Sequence, residues 1–393
     1  MRKKKILVQK FGGTSVSTPE RRSKVIDHVH RARENGYDVA IVVSAMGRRG
    51  DPYATDTLLD LLRRDGENFH KRDYDMVFVC GEILSATLMA HLLKRHGIPA
   101  VGLTGGQAGF YTNDNHSEAE ILEINPSRVK QLLDAGQVPV VAGCQGVSPE
   151  LGDFTTLGRG GSDTSGVALG VALNAEKVDI FTDVNGVARA DPRVVPEADF
   201  LEHINYDSML AMARYGAGVI HPRAVRAGRD SGIPIEVRST FTTTRGTIIN
   251  SSPDLFPIVG MATLGPLETI VLERDILGPE ERAIWEKDRL IMSFVDESNG
   301  CLILSASSEK SDELAAARAE LGKYVIGADA NQSWLSLIGA ADLTIGNQSD
   351  QILEKNGIKV FYREHSDRRN TYIVPSEDES RGINILYNEF IKR

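Results

Sequence analysis

ILVQKFGGTS, residues 6–15, runs from an apolar, β-branched segment into a pair of glycines, and Thr18-Pro19 follows within a few residues. Thr18 has the chemistry of a helix N-cap and Pro19 that of the first helical position, where a missing N–H costs little. Asn35-Gly36 supplies the stop. Strand, glycine turn and helix in that order predict the opening βα unit of a parallel sheet. VAIVVSA (39–45), MVFVCGE (76–82), AVGLTGG (100–106), VPVVAGC (138–144), VDIFTDV (178–184) and PIEVRST (234–240) repeat the strand signal, several apolar enough for burial on both faces. Helical patterns at about 83–96, 126–135, 162–174 and 206–230 supply the crossovers. Residues 1–250 are therefore expected to form one three-layer α/β domain with a mostly parallel central sheet.

The pattern changes after RSTF (238–241). TTTRGTIINSSPDL (242–255) is rich in Thr, Ser, Gly and Pro, as a boundary is, and a second domain is expected over 257–393. Its elements read strand (258–272), helix (278–287), strands (289–296 and 300–306), helix (310–321), strand (323–327), then a shorter strand–helix–strand–strand succession. That order suggests two small βαβ-type units in tandem.

The chain has 393 residues, enough for two or three domains, with 41% apolar, 25% charged and 6% aromatic residues, the balance of an ordinary soluble protein. Its 45 Lys and Arg against 54 Asp and Glu leave a net charge of −9, the wrong sign for a general nucleic-acid binder. Cys80, Cys144 and Cys301 match neither a zinc set nor a disulfide framework and read as reduced thiols. No apolar run reaches the ~18 residues that span a bilayer, and MRKKKILVQKFGG breaks its apolar stretch too early for a signal peptide. A cytoplasmic protein without membrane partners is expected. His28 and His30, two apart, share no helix face, so no protein-ligated metal is expected, and the lysine run 3–5 is given no role.

Three segments place reactive residue types at the carboxyl ends of predicted strands, where open α/β sheets bind ligands. In Lys10-Phe11-Gly12-Gly13-Thr14-Ser15 the glycines let backbone amides approach phosphate oxygens, while Lys10 and two hydroxyls add charge and donors; a simple tight turn is the alternative. GxxxxGK[ST] and GxGxxG are both absent. In Thr155–Ser165 three glycines and Arg159 precede a helix N-terminus, a second anion-binding arrangement, with a long hairpin turn as the alternative. The third segment is Phe181–Val187 with Ala190-Asp191-Pro192-Arg193.

KFGGTS, SAMG (44–47), GE (81–82), TTLGRGGSDTSGVALG and FTDVNGV…ADPR, in this order, resemble the amino-acid kinase family, and within it the aspartate kinases, over residues 5–241. VSAMGRRGDPYATDTLL resembles the bacillar monofunctional type, whose tail holds two regulatory ACT domains; the C-terminal third resembles that tail more loosely. The resemblance implies a three-layer αβα amino-acid kinase fold followed by α+β ACT-like (βαββαβ) domains. It implies transfer of the ATP γ-phosphoryl group to the β-carboxylate of L-aspartate, with Mg2+ carried by the nucleotide, opening the route to diaminopimelate, lysine, threonine and methionine. That nucleophile is already ionised at neutral pH and needs no general base. The obstacle is bringing a carboxylate up to a polyanion, and the remedy is fixed positive charge and amides.

By the same resemblance, Lys10 neutralises the transferring group, Asp163 orients Lys10, and Gly12, Gly13, Thr14 and Ser15 line the phosphates; a solvated surface lysine is the other reading of Lys10. Ser44 and Thr55 meet L-aspartate, Glu82 its α-ammonium and Arg159 its α-carboxylate, with Gly160 and Ser162 alongside; Glu82 is otherwise a helix N-terminal acid. Thr182, Asp183 and the loop through Arg189 and Arg193 hold the adenosine end. Two departures stand out. Ala188-Arg189 replaces a bulky residue of the family loop, so the adenine stack is expected to be thinner or to be supplied by Arg189. Gly216–Pro222 lacks the family's phosphate-holding lysine, leaving Arg214 or Arg223 as replacements. In the tail, 265–281 and 337–353 come nearest to an effector loop, the latter through Gly339 and a helix after Gly346, with dimerisation as the alternative role. An amino-acid effector and a homodimer or higher homo-oligomer are implied. A glutamate or acetylglutamate kinase is the enzymatic rival, opposed by SAMG, TDTLL and GRGGSDTS, and a nucleotide-binding regulatory subunit the non-catalytic one.

Overall fold

The computed structural model describes residues 5–392 apart from 65, 67, 68, 275, 277, 279–291, 308, 309, 340–342 and 367. It divides into two compact units, one of residues 1–187, 200–210 and 218–253, the other of 188–199, 211–217 and 254–393. The single boundary read near 250–257 therefore leaves out two inner segments, 188–199 and 211–217, that pack with the tail. Up to residue 253 the elements are β1 (Lys5–Phe11), α1 (Gly13–Val16), α2 (Pro19–Glu34), β2 (Tyr37–Val43), α3 (Thr55–Arg63), α4 (Lys71–Arg95), β3 (Ala100–Leu103), β4 (Phe110–Thr112), β5 (Ile121–Ile124), α5 (Ser127–Asp134) and β6 (Val138–Ala142). There follow β7 (Gln145–Val147), β8 (Phe154–Thr156), α6 (Gly161–Leu173), β9 (Lys177–Thr182), β10 (His203–Asn205), α7 (Tyr206–Arg214), α8 (Pro222–Ser231), β11 (Ile235–Ser239) and β12 (Thr247–Asn250).

The first unit is built on an eight-stranded sheet of order β10-β12-β11-β9-β1-β2-β6-β3. Its strands are parallel except where β12 meets β11 antiparallel, so β10 and β12 run against the rest. β1 lies in the interior between β2 and β9, and Phe11, Val25, Val29, Ile41, Val43, Val140 and Phe181 are among the residues of one core. Thr18 caps α2 by accepting from the Arg21 amide, with Pro19 at the first helical position. A small four-stranded sheet, β5-β4-β7-β8, had no counterpart in the sequence reading.

Two expectations fail here. MVFVCGE is no strand but part of α4, whose buried residues Asp75, Val79, Glu82, Ala86, Met89 and Leu93 recur at helical spacing. A short apolar run carries no period of its own, and the helical repeat emerges only over the full 25 residues. By length and composition α4 would suffice to cross a bilayer, yet it carries buried Asp75 and Glu82 and packs on the sheet. The helix expected over 206–230 is two, α7 and α8, because Gly216, Gly218 and Pro222 end one and open the other.

The second unit comprises β13 (Ile258–Glu273), β14 (Met292–Asp296), β15 (Cys301–Ser307), α9 (Ser311–Glu320), β16 (Val325–Gly339), α10 (Leu343–Lys355), β17 (Tyr362–Ser366), β18 (Arg369–Pro375) and α11 (Glu379–Phe390). The helix expected at 278–287 falls almost wholly outside the described residues, and α11 was not anticipated. The strands form one antiparallel sheet, β14-β15-β13-β16-β18-β17, rather than two tandem units. β13 and β16 pair along both halves of their length. Ile258 and Met261 share a core with Leu335, Leu337, Ile383 and Leu386, whereas Ile270 and Leu272 share another with Leu302, Leu304 and Leu314. The second core is thus nested inside the first, because strands of 16 and 15 residues are long enough to serve both.

On α6, a Cβ at Gly170 would lie 2.4 Å from Val178 Cγ2 of β9. Gly170→Ala, ordinarily favourable within a helix, is expected instead to cost about 1–3 kcal/mol. A lowered urea midpoint at unchanged m would show it.

Candidate active site

The carboxyl ends of β2, β1 and β9 stand side by side, and each feeds a loop into the site. After β1, Gly12 donates its amide to the Phe181 carbonyl (3.3 Å) and Gly13 opens the short helix α1. A Cβ at Gly13 would lie 2.6 Å from the Ala45 carbonyl oxygen and 2.9 Å from that of Gly47, so only glycine lets the loop after β2 settle on this turn. Gly47 donates to Gly13 O (3.0 Å) and Ser44 to Phe11 O (3.1 Å), which fixes the two loops together.

Lys10 is 8% exposed, and its Nζ lies 2.5 Å from Asp163 Oδ1. Asp163 sits in the first turn of α6, and its Oδ2 accepts from the His221 amide (3.2 Å). α6 comes this close because Gly166 faces Lys10; a Cβ there would meet Lys10 Cβ at 3.0 Å. Gly160, in the left-handed region at φ +68°, starts the helix, and a Cβ on it would strike the His221 ring at 2.2 Å. Burial holds His221 below its ordinary pKa, and its neutral Nδ1 accepts from the Arg223 amide (3.3 Å) to cap α8. Ser162, next along, receives a hydrogen bond from Ser44 Oγ (2.9 Å), while Arg159 stays exposed on the loop before α6.

Glu82, on α4, is 3% exposed, and its Oε2 has no hydrogen-bond partner among the described residues. Burial pushes its pKa up to about 8, opposed by a hydrogen bond from the Ala45 backbone. Gly81 permits this, since a Cβ there would press on Ala45 Cβ (2.9 Å) and the Tyr53 carbonyl oxygen (3.2 Å); half-buried Thr55 opens α3 just beyond. A buried carboxyl group that keeps one oxygen unpartnered is stabilised by a cation beside it.

The structure therefore brings together Lys10, Gly12, Gly13, Asp163, Ser44 and Ser162, with Glu82 held against Ala45 beside Ser44. Ser15 differs from expectation: it is fully buried, its hydroxyl is bonded to that of Thr240 (2.6 Å) and its amide to Gly12 O (2.9 Å), so it fixes the turn instead of facing a phosphate. Thr14 gives its carbonyl to Arg21 (3.0 Å). Thr182 ends β9 and Asp183 follows it, paired to Arg48 at 2.8 Å.

Arg189 and Arg193 belong to the other unit. Arg189 is buried there, donating to the carbonyls of Val259 (3.0 Å) and Ile258 (2.5 Å) and lying 4.2 Å over the Phe256 ring. Arg193 is tied to Asp191 (2.6 Å). Buried on those carbonyls, the Arg189 guanidinium is not available to stack on an adenine. Of the two proposed lysine replacements, Arg214 also falls in the other unit and Arg223 is turned onto the Leu157 carbonyl (3.0 Å).

Sequence reasoning missed two supports. Wholly buried Asp75 accepts from Thr156 Oγ1 (2.5 Å), His116 Nδ1 (2.8 Å) and the Ser117 amide (3.0 Å), anchoring the strand from which the Arg159 loop departs. Nothing local marks Asp75, because it lies in the stretch leading into the misread apolar run. His221 was legible as a helix cap before Pro222, but not as a wall against Gly160.

Residues 5–239 match the amino acid kinase family. The chain belongs to the amino acid kinase family. It is 49% identical over 247 residues to aspartokinase 1 of Bacillus subtilis, covering 63% of this chain and 61% of that protein. The chain thus spans about three fifths of the length of that relative. To the aspartokinase of Mycolicibacterium smegmatis it is 33% identical over 408 residues, covering 98% of this chain and 96% of the other. Its fold is that of E. coli aspartokinase III solved with aspartate and ADP, at a TM-score of 0.79 and 23% identity, covering 98% of this chain and 99% of that one. An aspartate kinase from Synechocystis, 31% identical, matches at a TM-score of 0.57 over 98% of this chain and 69% of that chain.

The ion pair makes a separable prediction for this kinase-family site. Asp163→Ala strands the Lys10 ammonium in the interior and is expected to cost about 3–5 kcal/mol, whereas the paired change Lys10→Met with Asp163→Leu recovers most of it. Urea unfolding of the three proteins measures both.

Proposed function

We propose that the protein is an aspartate kinase, transferring the γ-phosphoryl group of Mg·ATP to the β-carboxylate of L-aspartate. The observation that carries the substrate class is Glu82, a buried carboxyl group with an unpartnered oxygen. It asks for a cation, and the α-ammonium of an amino acid supplies one; an N-acetylated acid does not. Likeness over nearly the full chain to a protein named aspartokinase supports aspartate over glutamate.

In this reading Lys10, held by Asp163, draws charge from the transferring phosphoryl group while the amides of the Gly12-Gly13 turn receive its oxygens. Glu82 and Arg159 grip the ammonium and α-carboxylate, which leaves the side-chain carboxylate as the nucleophile. The Mg2+ arrives as part of the nucleotide substrate. The second unit is proposed to answer to an amino acid through residues 337–353. There Gly339, at φ +139°, ends β16 and Gly346 lies inside α10 rather than before it, packed against His365. A homodimer or higher homo-oligomer belongs to the same proposal.

Hydroxylamine trapping with Mg·ATP is expected to detect acyl phosphate from aspartate, not from glutamate or acetylglutamate, and none with Lys10→Ala. Turnover with another acid overturns the substrate; ATP binding with no turnover favours a regulatory subunit. Below about pH 8 Glu82 is protonated and must release its proton to accept an ammonium. The aspartate dissociation constant is therefore expected to fall about tenfold per unit of rising pH up to that value and then level off. Calorimetric titration across pH measures the slope, and Glu82→Gln is expected to flatten it and weaken binding.

A further inference from the structure

The triphosphate site carries a charge deficit. Lys10 faces the glycine turn, but Asp163 at 2.5 Å already offsets its charge. The other cations nearby are turned elsewhere: Arg21 onto the Thr14 carbonyl, Arg22 onto that of Val16 and Arg223 onto that of Leu157. Arg48 is placed differently. Its backbone is anchored to the turn, since the neighbouring Gly47 amide donates to Gly13 O (3.0 Å) and its own amide donates to Asp51 Oδ2 (2.9 Å).

The Arg48 side chain leaves the loop after β2 and reaches Asp183, after β9, at 2.8 Å. β1 lies between those two strands, so at ~4.8 Å per strand the Arg48–Asp183 pair bridges roughly 10 Å across the end of β1, where Lys10, Gly12 and Gly13 stand. Its side chain is 75% exposed and its carboxylate partner 38%, so the pair is screened by water and readily exchanged. A phosphate laid on the turn offers the same planar fork a stronger, doubly charged acceptor.

We infer that Arg48 is a ligand of the nucleotide phosphates, held over the turn by Asp183 and handed from that carboxylate to the β- and γ-phosphoryl oxygens when nucleotide binds. The inference rests on the aspartate kinase reading for its nucleotide, and adds a residue that meets the phosphates from the aspartate side of the site. Release of Asp183 in the same exchange frees that carboxylate for the ribose end.

The test compares Arg48→Ala and Arg48→Lys with the parent protein, each also in an Asp183→Asn background. Titrations with Mg·ADP and with adenosine, circular dichroism and KM for ATP and aspartate are measured. Arg48→Ala is expected to weaken ADP binding and raise KM for ATP about tenfold or more, with adenosine binding and the folded spectrum unchanged and Arg48→Lys intermediate. The loss is expected to persist or grow in the Asp183→Asn background. Unchanged ADP affinity overturns the inference, as does a loss that vanishes once Asp183 is Asn, since Arg48 would then act only by orienting that carboxylate. Should the parent protein bind ADP in an Arg48-dependent way yet phosphorylate no aspartate, the inference stands and the aspartate kinase reading falls.

Discussion

The ion pair between Lys10 and Asp163 is the constraint on which the first unit turns. A buried ammonium is tolerated only with an opposite charge and good geometry, so α6 must lie close enough to β1 to supply one. Gly166 and Gly170 make that approach sterically feasible, one against Lys10 and the other against Val178. The helix then presents its amino end, Gly160 and Ser162, at the same edge where β1 gives up its glycine turn. One electrostatic requirement thereby places the two glycine-rich segments side by side, although about 150 residues of chain separate them.

Around this pair the site divides by charge. On one flank Glu82 is buried, and that burial favours its uncharged form. On the other, Arg48 and Asp183 hold opposite charges in water across the end of β1. The buried side discriminates, because leaving a carboxylate unmatched is costly; the exposed side exchanges partners at little cost. The proposed reaction joins two anions, and for it both matter: a selective grip on the acceptor and readily transferred positive charge for the donor.

The second unit solves a different problem. Two long strands carry two cores, with the inner one inserted between the halves of the outer. Reading such a tail from its sequence as tandem repeats follows the order of elements, but the pairing of β13 with β16 joins residues more than 50 positions apart. Arg189 shows the same limitation. Its place in a nucleotide-like motif suggested adenine stacking, whereas burial against the carbonyls of Ile258 and Val259 makes it a structural tie of the other unit.

Resemblance singled out Lys10, Glu82, Arg159 and Asp163, whereas the sequence by itself determined the parallel α/β unit, its glycine turn and the helix entered at Gly160-Gly161. Those features are local: strand runs, caps, and glycines placed next to charged residues. Tertiary structure alone decided that MVFVCGE is helical, that Ser15 is spent on Thr240, that Arg189 and Arg193 serve the second unit, and that Asp75, His221 and Arg48 frame the site. Each depends on a partner distant in the chain, and neither hydrophobic period nor motif spacing records which distant partner a side chain will meet.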